Sequence, residues 1–138
     1  MLIDTPCIGI CSSVYGDPIC RGCKRTAKEV IDWNRYNSGE KSVVYQRLQA
    51  QMALVLVQYI EIFNPEVLQE KIITLNIRLH SQVSDTERAF HVLRLGANKI
   101  KNLNSFGLRI KPEYADLSLT VLFNEMDAKI YALASTAQ

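Results

Sequence analysis

The chain has 138 residues, enough for a single domain, with the apolar and charged fractions of an ordinary globular protein, 48% and 22%. Its net charge of +2 is too small to argue by itself for a nucleic-acid or membrane partner. It begins without a signal-peptide pattern, and its longest apolar stretch falls short of the ~20 residues of a membrane span. We therefore expect a cytoplasmic protein with reduced cysteines and no membrane partner.

All four cysteines lie within one short segment, in the pattern Cys7-x3-Cys11-x8-Cys20-x2-Cys23. Two close pairs of cysteines separated by a loop are typical of a tetrahedral zinc site. Two disulfides are disfavoured in a reducing compartment, and a redox pair at Cys20 and Cys23 would leave the other two cysteines without a role. The spacing thus predicts one metal centre, either one Zn(II) ion or one iron–sulfur cluster, and it favours zinc.

The residues around the second cysteine pair suit a cluster of thiolates. Three cations could offset its excess negative charge: Arg21, Lys24 and Arg25. Thr26 and Glu29 form a capping-box pattern that predicts a helix from Thr26 to Tyr36, with the positive end of its dipole beside Cys23. Trp33 on this helix is expected to pack as a lid over the metal loop.

The segment from Pro6 to Asn34 resembles the DUF1289 family, small bacterial proteins often labelled "predicted Fe-S protein". The shared stretches here are PCIGIC, CRGCKRT, and then a glutamate and a tryptophan, Glu29 and Trp33. The similarity covers about the first 50 residues. It implies that the four cysteines ligate one centre, and the family label points to iron–sulfur. It implies no particular reaction.

The remainder of the chain is expected to alternate between helices and strands. A long helix is predicted from Glu40 to Phe63, with Ser38 as its cap and Asn64-Pro65 as its end. The stretch KIITLNIRLH, residues 71–80, alternates apolar and polar residues and predicts a half-buried strand.

Ser84 and Glu87 form a second capping-box pattern, which predicts a helix from Asp85 to about Asn102. SFGLRIK and LSLTVLF are expected to form two more strands, and residues 124–127 a hairpin turn before AKIYALA. The predicted fold class is therefore α+β. It has a four-cysteine metal knuckle and two helices, then a strand-helix-strand-strand part, divided into a metal-binding module (1–37) and a second domain (38–138).

We find no nucleotide-binding or metalloprotease motif, so a non-catalytic protein is expected. Neither histidine, His80 nor His91, has a pattern that favours catalysis over solvation or simple hydrogen bonding. Basic residues on the metal loop and the third helix could form one surface for RNA or DNA if they face the same way. These residues are Arg21, Lys24, Arg25, Arg88, Arg94, Lys99 and Lys101.

Three functions are consistent with these patterns. The first is a non-catalytic binding or adaptor module with a structural metal centre and an unknown protein partner. The second is an iron–sulfur redox or sensor protein, and the third is an RNA-binding protein.

Overall fold

The computed structural model of the chain describes residues 5–7 and 16–136. In chain order the helices and strands are α1 Ala27–Asp32, α2 Ser38–Tyr59, β1 Ile60–Ile62, α3 Pro65–Thr74, α4 Asp85–Gly96, β2 Leu108–Ile110 and α5 Leu119–Thr136. Short 3₁₀ turns occupy Trp33–Arg35, Leu103–Phe106 and Pro112–Tyr114. The architecture is a packed set of helices with one small sheet, which is α+β only in a coarse sense.

Side-chain caps begin the first four helices. Thr26 and Glu29 form the predicted capping box at α1. The cap of α2 is Asn37, one residue before the predicted Ser38, because Asn37 and Glu40 exchange capping hydrogen bonds. The pair Asn64-Pro65 was predicted only to end a helix, but it also starts one, with Asn64 as cap and proline in the first turn of α3.

The predicted end of the second helix is wrong by four residues. Helix α2 stops at Tyr59, and β1 pairs antiparallel with β2, with Glu61 opposite Arg109. An ion pair of 3.0 Å joins these two side chains. The strand predicted within SFGLRIK is confirmed by β2.

The strand predicted for residues 71–80 is wrong. Helix α3 continues through Thr74 and buries Leu68 and Ile72, four residues apart, while Ile73 is 79% exposed. Asn76 then adopts a left-handed conformation, φ 55°, which ends the helical path. The apparent alternation therefore spans a helix end and the loop that follows it.

The strand predicted for LSLTVLF and the hairpin turn predicted after it are also wrong, since residues 119–136 form α5. Residues at every fourth position line its buried face: Leu122, Met126, Ile130 and Ala134. Met126 lies in the middle of the predicted turn but is fully buried. The helix contains no glycine or proline, so nothing in the sequence breaks it.

The main core lies between α2, α4 and α5, with α3 and the sheet packed around it. A smaller cluster of Trp33, Val44, Tyr45 and Leu48 joins the segment after α1 to the first half of α2. The third predicted helix ends at Gly96, six residues earlier than expected. Within the described residues, no helix is both long and apolar enough to cross a membrane.

Candidate metal centre

A tight loop brings Cys20 and Cys23 together before α1. The Lys24 amide donates to the Cys20 carbonyl at 2.8 Å, and the Cys20 amide donates to the Arg25 carbonyl at 2.9 Å. Lys24 adopts a left-handed conformation with φ 68°, which reverses the chain directly after Cys23. The backbone thus closes on itself around the two cysteines.

Both thiols of this loop are buried and in contact. Cys20 is 1% exposed and Cys23 is 8% exposed. A hydrogen bond between the two thiols, together with burial, raises the pKa of Cys23, and nearby Arg25 opposes this only in part. A raised pKa keeps the Cys23 thiol protonated in the metal-free loop.

Of the other two predicted ligands, only Cys7 lies within the described residues, and it is not grouped with this pair. Cys7 is exposed, and Cys11 lies outside the described residues. Within 5–7 and 16–136, no three cysteine, histidine or acidic side chains are grouped as a metal would require. Cys20 and Cys23 therefore offer half of a tetrahedral donor set, and the four-cysteine knuckle stays a prediction.

Arg25 is a charged residue in direct contact with the thiol pair. Its side chain is buried, and Nε donates to the Cys23 Sγ at 3.1 Å. The guanidinium also lies 5.0 Å from the ring centroid of Trp33, which packs edge-on against Tyr45. Trp33 thus covers the cation that contacts Cys23.

Lys24 attaches the loop to the last helix. Its Nζ is buried and lies 2.8 Å from an Asp127 carboxylate oxygen on α5. The same Nζ donates to the carbonyls of Arg21 and Gly22. The Arg21 guanidinium lies 5.3 Å from the ring centroid of Tyr131, also on α5. Asp127 falls within the predicted hairpin turn, and no local pattern in the sequence indicates this long-range contact.

A second link joins α1 to α2. The Glu29 carboxylate accepts two hydrogen bonds from Arg47, at 2.5 and 2.7 Å. Burial alone would raise the pKa of Glu29, but the hydrogen bonds from Arg47 and Thr26 outweigh it and lower the pKa. The predicted boundary between residues 37 and 38 is therefore bridged by contacts, and the division into two domains stays a prediction.

The loop that carries Cys20 and Cys23 offers fewer exposed cations to a nucleic acid than the sequence predicts. Lys24 and Arg25 point their charges inward and are each 4% exposed, so they cannot contact a phosphate backbone as the loop stands. Of the three loop cations only Arg21 is exposed.

The cations of α4 are partly engaged in local contacts. Arg88 pairs with Asp85 at 2.7 Å, and Arg94 donates to the His91 ring at 2.9 Å. Lys99 and Lys101 are exposed in the turn after α4. Nucleic-acid binding stays a prediction with a smaller set of available side chains.

Sequence reasoning missed a buried histidine–glutamate pair between the loop after α3 and α4. His80 Nε2 lies 2.7 Å from a Glu87 carboxylate oxygen, and both side chains are buried. The amide of Gln82 donates to His80 Nδ1, so the ring proton resides on Nε2. The imidazole ring of His80 stacks on the Tyr45 ring, with 4.2 Å between the two ring centroids. The capping-box pattern predicts that the Glu87 side chain binds the Ser84 backbone amide, so the sequence does not indicate its pairing with His80.

His91 makes the stability of the protein sensitive to acid. Burial, and then the positive charges of Arg94 and Lys24, lower the pKa of His91 to about 3. Between pH 6.5 and 3 the unfolded chain binds a proton that the folded state does not, so stability falls as the pH falls. We expect a loss of about 2 kcal/mol between pH 8 and pH 5 from this group.

The measurement is urea unfolding at several pH values for the wild type and His91→Gln, which keeps a side-chain oxygen for Arg94. The variant should lose less stability on acidification than the wild type by about that amount. Parallel pH profiles for the two proteins would contradict a neutral, buried His91.

Comparison with known proteins finds similarity only to the N-terminal part. Residues 5–52 match the family described as "Protein of unknown function (DUF1289)". "Uncharacterized protein YdhL" of Escherichia coli strain K12 is 43% identical over 42 residues, 30% of this chain and 52% of YdhL. The YdhL proteins of Shigella flexneri and Escherichia coli O6:H1 give the same values.

The chain thus spans about half the length of the curated relatives that it matches. No solved structure matches it. The predicted resemblance of the first ~50 residues to DUF1289 is confirmed, and α3 to α5 lie outside the matched region.

Proposed function

We propose that this protein binds one metal centre through Cys7, Cys11, Cys20 and Cys23, and that the centre has a structural, non-catalytic role. One observation supports this most directly: Arg25 is buried against the Cys23 sulfur and has no carboxylate partner among the described residues. A buried cation without a counter-charge is costly, so a negative charge is expected nearby.

Metal-bound thiolates would supply that charge. A coordinated thiol is deprotonated outright, and four thiolates around Zn(II) leave two excess negative charges. Cys23 is already at hydrogen-bonding distance from Arg25, which would then form a charge-assisted bond to a ligating sulfur. The chemistry of the two buried sulfur donors fits a thiolate metal site.

The role of the centre would be to hold the loop in a shape that packs on α5 and α2. The loop has little apolar surface of its own, so metal binding would supply much of the free energy that orders it. Lys24 and Glu29 then connect it to Asp127 and Arg47. Such a module displays a fixed surface to a partner protein, and a reducing cytoplasm would keep its thiols available for metal.

The spacing favours zinc, while an iron–sulfur cluster on the same cysteines would make the protein a redox or sensor protein. The test is elemental analysis of protein purified anaerobically, with an absorbance spectrum of the same sample. We expect about one zinc per chain and no visible colour. A brown sample that contains iron and bleaches in air would favour the cluster, and metal-free protein would overturn the proposal.

A further inference from the structure

A cleft lies beside the turn that follows α4, on residues outside the thiol-bearing loop. Its volume is about 620 Å³, within the range of small-molecule sites. Its apolar walls come from three parts of the chain, and the main contributors are Leu75, Ile77, Val92, Leu95 and Phe106. Leu75 and Leu95 are 53% and 48% exposed, so the cleft presents apolar surface directly to solvent.

Gly96 lines this cleft at the end of α4. The Ile100 side chain folds back over it, and its δ-carbon lies 2.9 Å from where a Cβ on residue 96 would sit. The Gly96 carbonyl accepts from the amides of both Lys99 and Ile100 at 2.8 Å. The chain therefore wraps around the end of α4 and places the turn, with its lysines, on one side of the cleft.

The charged side chains that line the cleft are all positive. Lys99 and Lys101 line it, and Lys71 Nζ lies 5.2 Å from the ring centroid of the lining residue Phe106. In the part of the chain that the structure describes, the lining residues include no aspartate or glutamate. Neither Lys99 nor Lys101 has a carboxylate partner there. An occupant would thus meet apolar walls beside unpaired cations.

We propose that this cleft binds a small amphipathic carboxylate, such as a medium-chain fatty acid. The hydrocarbon chain would lie along the leucine and phenylalanine walls, and the carboxylate would contact Lys99 and Lys101. Apolar burial provides affinity that grows with chain length, and the charge-assisted contacts select an anion. Binding at this cleft does not depend on a metal at the cysteines, so a negative result for one proposal leaves the other standing.

The test is calorimetric titration of the full chain with dodecanoate below its micelle concentration. We expect saturable binding that weakens with octanoate. The double variant Lys99→Gln/Lys101→Gln should weaken dodecanoate at least tenfold but leave binding of the uncharged analogue dodecanol within about twofold of the wild type.

A matched control removes two exposed charges elsewhere, Lys28→Gln/Arg35→Gln, and should bind dodecanoate like the wild type. The proposal is overturned if the wild type shows no saturable binding, if the control loses as much affinity as the lysine variant, or if dodecyltrimethylammonium binds as tightly as dodecanoate. Retained folding of each variant is checked by circular dichroism. If Lys99→Gln/Lys101→Gln is unfolded, the single variants Lys99→Gln and Lys101→Gln replace it. The proposal is then overturned if neither single variant weakens the binding of dodecanoate.

Discussion

Replacement of Cys7 by serine is expected to remove bound metal from the protein, although the Cys7 side chain is exposed in the structure. A serine hydroxyl is a poor zinc ligand, and three thiolates without a fourth donor hold the ion much more weakly. Metal content should fall from about one ion per chain to a small fraction of that, as measured by elemental analysis. Cys20→Ser is expected to have the same effect on metal content.

The two variants separate a metal role from simple packing. After removal of metal with a chelator, Cys7→Ser should be as stable as the wild type, because an exposed thiol contributes little. Cys20→Ser should remain less stable by about 1–2 kcal/mol, because it places a hydroxyl at a buried position. Val43→Ser, at a residue 66% exposed on α2, serves as the substitution control and should retain metal.

Fluorescence of Trp33 provides a local readout, since the chain has one tryptophan. Its ring lies over Arg25, which contacts Cys23, so disorder of the loop should change its environment. We expect the emission of Cys7→Ser to shift toward longer wavelength while the helical content stays near that of the wild type. Equal metal content in the wild type and both cysteine variants would refute the proposed centre.

Short-range patterns predicted the starts of α1 and α4. Thr26 with Glu29 and Ser84 with Glu87 lie three residues apart, and both the Thr26 and the Ser84 side chains cap their helices as predicted. Glu29 completes its capping box, whereas the Glu87 side chain pairs with His80 instead. The choice of Ser38 over Asn37 was wrong for an identifiable reason. Glu40 lies three residues after Asn37, and that spacing identifies the cap.

Strand predictions failed where alternation and helical spacing coexist. LSLTVLF alternates over seven residues, but Leu122 also begins a series of buried residues four apart that extends to Ala134. The four-residue spacing determines that this segment is a helix, because α5 buries a continuous stripe of apolar residues against α2 and α4. Strand β1 was missed because its partner lies far away in the chain, with Glu61 paired to Arg109. Such pairing depends on the tertiary structure rather than on local sequence.

Within the candidate site, the cysteine pattern was visible, but the placement of Lys24 and Arg25 on an exposed surface was wrong. Arg25 and Lys24 follow the thiols in the sequence and resemble solvated cations, yet both are buried. Their partners, the Trp33 ring and Asp127, become neighbours only when α1 turns back and α5 packs against the loop. Spacing rules therefore predicted a set of cysteine donors but not the contacts that surround Cys20 and Cys23.

The second large effect is expected from Gly107→Ala. Gly107 has φ 75°, and an added Cβ would lie 2.2 Å from the backbone oxygen of Asn64. Backbone atoms cannot move aside as a flexible side chain can. The Gly107 carbonyl also accepts from the amides of Phe63 and Asn64, so displacement would break the junction between β1, α3 and β2. We expect a loss of about 4 kcal/mol in the free energy of unfolding, measured in urea.

Gly16→Ala separates the cost of the backbone conformation from the cost of the contact with Asn64. Gly16 also has a positive φ, 99°, but an added Cβ there has nothing within 4 Å. Gly16→Ala should therefore lose only the free energy that a left-handed backbone conformation costs an alanine, about 1–2 kcal/mol. The difference between the two variants measures the close approach of Gly107 to the start of α3. If both variants lose the same stability, Asn64 and Gly107 are further apart in solution than in the structure. In that case the short sheet does not hold α3 against the core in the way described.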